Sequence, residues 1–146
     1  MYRRPADRGG HLVAFRGSTS YDDAKTDGHL ALGRLRSTAR YKRTAAHARE
    51  LQKVLGDYSV TGHSLGGTLA QHVHDDVLGK KGKLVAFNPG ATLLGPIPGC
   101  AGWVYTTSGD VVSALAHTMH HDTRVLMPKE GSDLLSAHGA VNFTAP

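Results

Sequence analysis

Short apolar, β-prone runs alternate with polar turns and helical patterns along this chain. Five runs predict strands, at residues 11–15, 58–61, 84–87, 103–107 and 123–127. Two longer stretches repeat apolar positions at helical spacing and predict helices over residues 37–55 and 65–77. A glycine soon after each stretch suits a helix end. Strands separated by helical crossovers predict an α/β fold with a mostly parallel sheet.

The second predicted strand joins the second helix through a Gly-x-Ser-x-Gly turn, within DYSVTGHSLGGTLA at residues 57–70. A serine between a strand and a helix in this pattern is typical of a nucleophile elbow. Such a turn strains the backbone, and Gly62 and Gly66 lack the side chains that would clash in it. We therefore predict Ser64 as a nucleophile supported by Gly62, His63 and Gly66. An ordinary serine in a glycine-rich turn is the alternative.

An acyl-transfer enzyme built on this serine needs N–H donors for the developing oxyanion. The first donor is the backbone N–H of the residue after the nucleophile, which is Leu65 here. A loop that leaves a neighbouring strand supplies the second donor, and the sequence RGSTS follows the first predicted strand. We expect Ser18 in this loop to donate its N–H, while a plain Ser/Thr turn is the alternative.

The remaining members of a catalytic triad follow the serine in chain order. Asp110 lies just beyond the fourth predicted strand, where a triad acid belongs, and Asp122 and Asp133 are its rivals. His138, after the last predicted strand, completes the order Ser, Asp, His that is typical of α/β-hydrolases. We expect Asp110 to hold the imidazole in the right tautomer and His138 to act as the general base.

A histidine-rich segment resembles a metal site by composition, because His117, His120, His121 and Asp122 lie close together in the chain. Only the step from His117 to His120 fits one face of a helix, and no further ligand pattern accompanies it. Surface or packing histidines are favoured, so we predict neither a metal nor an organic cofactor. The single cysteine, Cys100, excludes an intramolecular disulfide.

Length and composition indicate one globular domain over residues 1–146, with 40% hydrophobic and 20% charged residues. No apolar run approaches the roughly 20 residues of a membrane span. The stretch MYRRPADRGG at the start lacks the apolar centre of a secretory signal. We expect a soluble protein, cytoplasmic or released, whose compartment the sequence does not assign.

The chain is basic, with a formal net charge of +5 and seven of its 17 lysines and arginines within residues 34–53. A basic helix face of this kind favours weak association with an anionic membrane surface. A merely solvated helix face is the alternative. No nucleic-acid-binding motif accompanies the charge, so we expect no specific nucleic-acid partner.

Taken together, these motifs resemble a compact class 3 (fungal-type) lipase domain over about residues 11–143. The matching segments are VAFRGSTS, VTGHSLGGTLA, AFNPG, SGDVVS and HGAVNF. The resemblance implies a minimal α/β-hydrolase with about five to six strands and helices on both faces. It also implies roles for six residues: a triad of Ser64, Asp110 and His138, the oxyanion donors Ser18 and Leu65, and Asp27 in support of the oxyanion loop.

The chain departs from this family in several places. Ala24 stands where members commonly carry a tryptophan, the lid region is short, and most strands that usually precede the oxyanion strand are absent. A reduced lid predicts an open site suited to short or soluble esters. The expected function is ester hydrolysis through an acyl-serine. The alternatives are a lipid- or acyl-binding module without turnover, or a thioesterase or peptidase, because a triad does not name the bond it cleaves.

Overall fold

The computed structural model describes residues 10–17, 34–90, 102–110, 123–126 and 138–143. Within these ranges five strands form one sheet: β1 (Leu12–Phe15), β2 (Ser59–His63), β3 (Leu84–Phe87), β4 (Trp103–Thr107) and β5 (Thr123–Leu126). Two α-helices lie fully within the described ranges, α1 (Ala39–Leu55) and α2 (Leu65–Asp76). Two short 3₁₀ segments lie at Leu35–Ser37 and Ala140–Phe143.

Every strand pair in the sheet is parallel, and the strand order is β1-β2-β3-β4-β5. All five carboxyl ends therefore meet at one edge. Right-handed crossovers between successive neighbours in such an order place the connecting helices on the same face. The prediction of an α/β fold with a mostly parallel sheet is confirmed.

One face of the sheet is buried under α1 and α2. Alternate residues along the strands point to this face, because strand side chains alternate between the two sides. They pack with apolar residues of both helices in one cluster that includes Val13, Val60, Ala86 and Val104 from the strands, Ala48 from α1, and Ala70 and Val73 from α2. The opposite face carries the Ala140–Phe143 segment, whose Phe143 ring lies 4.8 Å from that of Phe87.

Helix α1 begins two residues later than the apolar pattern predicts. The Leu35–Ser37 turn comes first, and Thr38 then caps the helix by accepting a hydrogen bond from the Tyr41 N–H at 3.1 Å. Gly56, at a φ of 68°, ends the helix as predicted. Within the part of the chain that the structure describes, no helix combines the length and apolar character needed to cross a membrane.

Candidate active site

Ser64 occupies the turn between β2 and α2. Its backbone lies at φ 56° and ψ −130°, a conformation that residues other than glycine rarely adopt and that costs roughly 1–3 kcal/mol. The turn is held to the next strand, because the Ser64 N–H donates to the Phe87 carbonyl at 3.0 Å. This is the strained strand-to-helix geometry expected of a nucleophile elbow.

Two glycines let the backbone pass close to this turn. A Cβ atom on Gly66 would lie 2.2 Å from the Phe15 carbonyl oxygen, and one on Gly62 would lie 2.3 Å from the Gly66 carbonyl. Neither position accepts a side chain without movement of the main chain. The sequence pattern Gly-x-Ser-x-Gly thus reflects close packing of β1, β2 and the start of α2.

His138 connects Ser64 to Asp110. Its Nε2 lies 2.7 Å from the Ser64 Oγ, and its Nδ1 lies 2.9 Å from the Asp110 Oδ2. The Asp110 side chain is fully buried, and that of His138 is 21% exposed. With Asp110 ionised, the Nδ1–H donates to the carboxylate and the Nε2 is left to accept the hydroxyl proton of Ser64. The structure therefore brings together the serine, histidine and aspartate that the sequence analysis selected.

The parallel sheet explains why residues far apart in sequence meet here. Ser64 follows the carboxyl end of β2, and Asp110 follows the carboxyl end of β4. These ends share one edge, which is where open α/β sheets place their sites. A turn fixes the acid, since the Asp110 N–H donates to the Thr107 carbonyl at 3.1 Å.

Asn88, which the sequence analysis did not select, lies between these two strand ends. It is buried, has a φ of 40°, and follows β3 directly. Its Oδ1 accepts from the Thr107 N–H at 2.7 Å, and its Nδ2 donates to the His138 carbonyl at 3.2 Å. Asn88 directly follows a predicted strand, much as Ser64 and Asp110 come after theirs, and this position in the sequence could have identified it.

The chain that leaves β1 passes directly beside Ser64. A Cβ atom on Gly17 would lie 3.5 Å from the Ser64 Cβ. Arg40 in the first turn of α1 holds this segment: its Nη2 donates to the Arg16 carbonyl at 2.7 Å and to the Gly17 carbonyl at 3.1 Å. Nothing in the one-dimensional pattern distinguishes Arg40 from the other basic residues of this helix.

His63, the residue before Ser64, is half-buried, and burial lowers the pKa of its imidazole. The ring is therefore neutral at pH 7. Its Nε2 lies 2.6 Å from the His138 carbonyl oxygen, so the proton of the neutral ring is on Nε2. The structure thus brings His63, which the sequence analysis predicts as a supporting residue, into contact with the backbone of His138.

Of the two predicted oxyanion donors, Leu65 is described and Ser18 is not. Leu65 is the first residue of α2, where a backbone N–H has no partner within the helix. Several other residues of the sequence analysis also lie outside the described residues: Ala24, Asp27, Cys100, His117, His120, His121, Asp122 and Asp133. Among the described side chains, no group of three or more His, Cys, Asp or Glu residues is arranged to hold a metal ion.

The parallel sheet with helices packed on it places the chain among α/β proteins, and the strained turn at Ser64 has the backbone geometry of an elbow between a strand and a helix. The model of one family, the Tle-like phospholipase domain of phospholipase-like proteins, matches residues 1–88, and the chain belongs to this family. It is a lipase- or phospholipase-like domain, and the family supports a lipid-hydrolysing function. The match does not extend to class 3 fungal lipases specifically, so that part of the resemblance stays a hypothesis. A comparison with curated proteins finds no match to the chain.

Proposed function

We propose that this protein hydrolyses carboxylic esters of lipids, phospholipids in particular, through an acyl-serine intermediate. One observation carries the proposal: Asp110, His138 and the Ser64 hydroxyl form a continuous hydrogen-bonded series at a strained elbow. The phospholipase-like family supports a lipid as the substrate. The resemblance to class 3 lipases supports the same chemistry. The lid region of this chain is short compared with that family, which favours an open site that also accepts short or soluble esters.

In the acylation step, the Ser64 Oγ attacks the ester carbonyl carbon while the His138 Nε2 takes the hydroxyl proton. Asp110 holds the imidazole in the tautomer that leaves Nε2 free to accept, and it stabilises the imidazolium that forms. The tetrahedral intermediate then collapses, the C–O bond to the alcohol breaks, and the imidazolium gives its proton to the departing oxygen.

The oxyanion of the intermediate is stabilised by backbone N–H groups. We assign the N–H of Leu65, at the start of α2, as one donor and that of Ser18 as the other. The closeness of Gly17 to the Ser64 Cβ supports the second assignment, because Ser18 is the next residue in the chain. Loss of one such donor typically costs about 10²–10³ in turnover.

Deacylation repeats these steps with water as the nucleophile. His138 removes a proton from the water as its oxygen attacks the acyl carbon. The Ser64 Oγ then leaves and recovers the proton from the imidazolium. The products are a free acid, the alcohol and the regenerated serine, and the proposed steps are served by this chain's own groups and water.

The exposed face of α1 supports the proposal that the protein associates weakly with an anionic membrane while it acts on its substrate. Its exposed basic side chains are Lys42, Arg43, Arg49 and Lys53. The first turn of the helix adjoins the site, since Arg40 bonds the segment beside Ser64. Clustered basic residues of this kind attract anionic lipid surfaces.

Product release from two substrate sets tests the proposal. One set is a series of p-nitrophenyl esters of graded acyl length, and the other is phosphatidylcholine vesicles with and without phosphatidylglycerol. We expect release of the carboxylic acid from both sets, and a fall of at least about 10³-fold in ester turnover for Ser64→Ala. In a separate measurement of vesicle binding, we expect tighter binding to the vesicles that contain phosphatidylglycerol.

The contrary outcomes separate the alternatives. Background rates at every acyl length, together with vesicle binding, would indicate a lipid-binding module. Cleavage of thioesters or peptides without cleavage of oxygen esters would indicate another hydrolase. Equal binding to neutral and anionic vesicles would remove the membrane component and leave the esterase chemistry in place.

A further inference from the structure

His138 must keep its ring within hydrogen-bond distance of two groups, yet the described residues around it belong to no strand. His138 is helical and not extended, so the ladder hydrogen bonds that fix the strands do not act on it. The ring contacts to Ser64 and Asp110 orient the imidazole only if the backbone of His138 is itself held. The bonds that hold this backbone are therefore part of the site's geometry.

Two side chains converge on the carbonyl oxygen of His138. The His63 Nε2–H donates to it at 2.6 Å, and the Asn88 Nδ2 donates to it at 3.2 Å. A carbonyl oxygen has two lone pairs, so both donors can be accepted at once. Together they fix the position and plane of the peptide group that follows the Cα of His138.

Each donor relates His138 to one of its two partners. His63 immediately precedes Ser64, so its bond ties the base to the turn that holds the nucleophile. Asn88 also bonds Thr107, through its Oδ1 at 2.7 Å and its Nδ2 at 3.2 Å. Thr107 opens the turn that ends in Asp110. Asn88 thus ties the base to the turn that holds the acid.

Ring contacts add to these bonds from the outer face of the sheet. The His63 ring centroid lies 5.1 Å from that of His138 and 6.4 Å from that of Phe143. Phe143 in turn packs on Phe87. His63 therefore contacts both ends of the 138–143 segment, while its hydrogen bond supplies the directional part of the contact.

We propose that His63 is a positioning residue, which acts through the backbone carbonyl of His138, the oxygen that also accepts from Asn88, to keep the His138 imidazole aligned between nucleophile and acid. This inference rests on the proposed function for its kinetic consequence. Its structural consequence, a fixed imidazole, can be measured without turnover. His63 thereby gains a specific role in the site.

The test compares two substitutions at His63. His63→Phe keeps a ring but removes the Nε2 donor, whereas His63→Gln keeps an amide N–H that can reach the same carbonyl. On a soluble p-nitrophenyl ester, we expect His63→Phe to lower kcat about 10- to 100-fold with a smaller change in KM, because misplacement of a catalytic group acts mainly on the chemical step. His63→Gln should recover most of the loss. His47→Phe, on the exposed face of α1, is the matched control and should behave as wild type.

A spectroscopic readout separates this inference from the proposed function. An Nδ1–H that donates to a carboxylate gives a strongly deshielded proton resonance, assigned here to His138 by its loss in Asp110→Asn. We expect His63→Phe to broaden or remove this resonance, and His63→Gln and His47→Phe to retain it. If thermal melting shows that His63→Phe is not folded, His63→Met supplies a second side chain without an N–H donor.

The outcomes are distinct. An unchanged resonance and unchanged kcat in a folded donor-free variant would overturn the positioning role. A lost resonance that His63→Gln restores would support it, even if wild type cleaved no ester and the proposed function had failed. Equal losses in His63→Phe and His63→Gln would also overturn it, because the donor would then be irrelevant.

Discussion

At the scale of single residues, the site depends on a serine in an unfavourable backbone conformation. The φ of 56° at Ser64 costs roughly 1–3 kcal/mol, and the surrounding structure must hold it. The hydrogen bond to Phe87 and the close approach of β1 at Gly66 provide that constraint. In return, the hydroxyl stands clear of the strand and meets the imidazole of His138.

Arg40 acts at the same scale on the other side of the serine. Arg40→Met keeps the aliphatic stem but removes the donors to the carbonyls of Arg16 and Gly17. The bond to Gly17 is partly buried, where a charged donor contributes about 1.5–3 kcal/mol, and the exposed bond to Arg16 contributes less. Without them the segment beside Ser64 should lose its fixed position. We expect kcat on a soluble ester to fall at least about tenfold, up to the roughly 10²–10³ of a lost oxyanion donor.

Arg43→Met is the control for this prediction, because Arg43 is exposed on the same helix. Steady-state kinetics on p-nitrophenyl butyrate would measure both variants. Equal rates for Arg40→Met and wild type would show that the bonds to Arg16 and Gly17 have no influence on the reaction.

At the scale of elements, an ionic network joins α1, α2 and the Leu35–Ser37 turn. The Arg36 guanidinium makes two hydrogen bonds of 2.8 Å to the Asp76 carboxylate, and the Tyr41 hydroxyl also donates to Asp76. The bonds from Arg36 hold the pKa of the Asp76 carboxyl below its usual value. Because Asp76 ends α2 and Tyr41 lies in α1, this network fixes the two helices that cover the sheet.

The network makes stability depend on pH in a defined direction. A carboxyl whose pKa is lower in the folded state stabilises the fold above its unfolded pKa, here 3.8, and loses that contribution as pH falls through the folded value. Asp76→Asn should therefore lose about 1 kcal/mol at pH 7, after allowance for the exposure of Arg36. For a chain of this size, that is a Tm lower by about 2–4 °C.

Thermal melting from pH 7 to about pH 2 would measure this difference, which should stay constant down to about pH 4 and shrink as the pH falls below the unfolded pKa of 3.8. Asp57→Asn is the control, since its partner Lys81 lies 3.9 Å away and both side chains are exposed. A Tm difference between wild type and Asp76→Asn that stays constant with pH would contradict the assigned ionisation.

At the scale of the whole molecule, one topological fact organises the site. Parallel strands in the order β1-β2-β3-β4-β5 bring their carboxyl ends to one edge, where the elbow, Asn88 and the acid turn lie side by side. Parallel strands bring residues more than 40 positions apart in sequence, such as Ser64 and Asp110, into one site, and no contact between sequence neighbours is needed for this. The terminal segment with His138 then closes over this edge.

Much of this arrangement could be predicted from the sequence. The five strands were found by their β-prone composition, and Ser64 by a motif whose glycines the packing requires. Asp110 and His138 followed from chain order and from their places after strands, and the structure brings both to Ser64. These features have local signals, since each depends on residue types at short spacing.

The missing features depend on tertiary contacts. Asn88 and Arg40 donate hydrogen bonds to backbone carbonyls of His138, Arg16 and Gly17, and a carbonyl has no sequence signature. The start of α1 was placed too early because the 3₁₀ turn at Leu35–Ser37 shares the polar and apolar pattern of the helix that follows. Single-sequence patterns do not separate such short segments.

Labelling with a fluorophosphonate is the measurement that most directly tests whether Ser64 is an activated nucleophile. The probe forms a covalent bond only with a serine whose hydroxyl is activated, and peptide mass spectrometry identifies the labelled residue. We predict that wild type carries the label on Ser64, that Asp110→Asn is labelled far more slowly, and that Ser64→Ala is not labelled. Equal labelling of wild type and Ser64→Ala would contradict the assignment of the nucleophile.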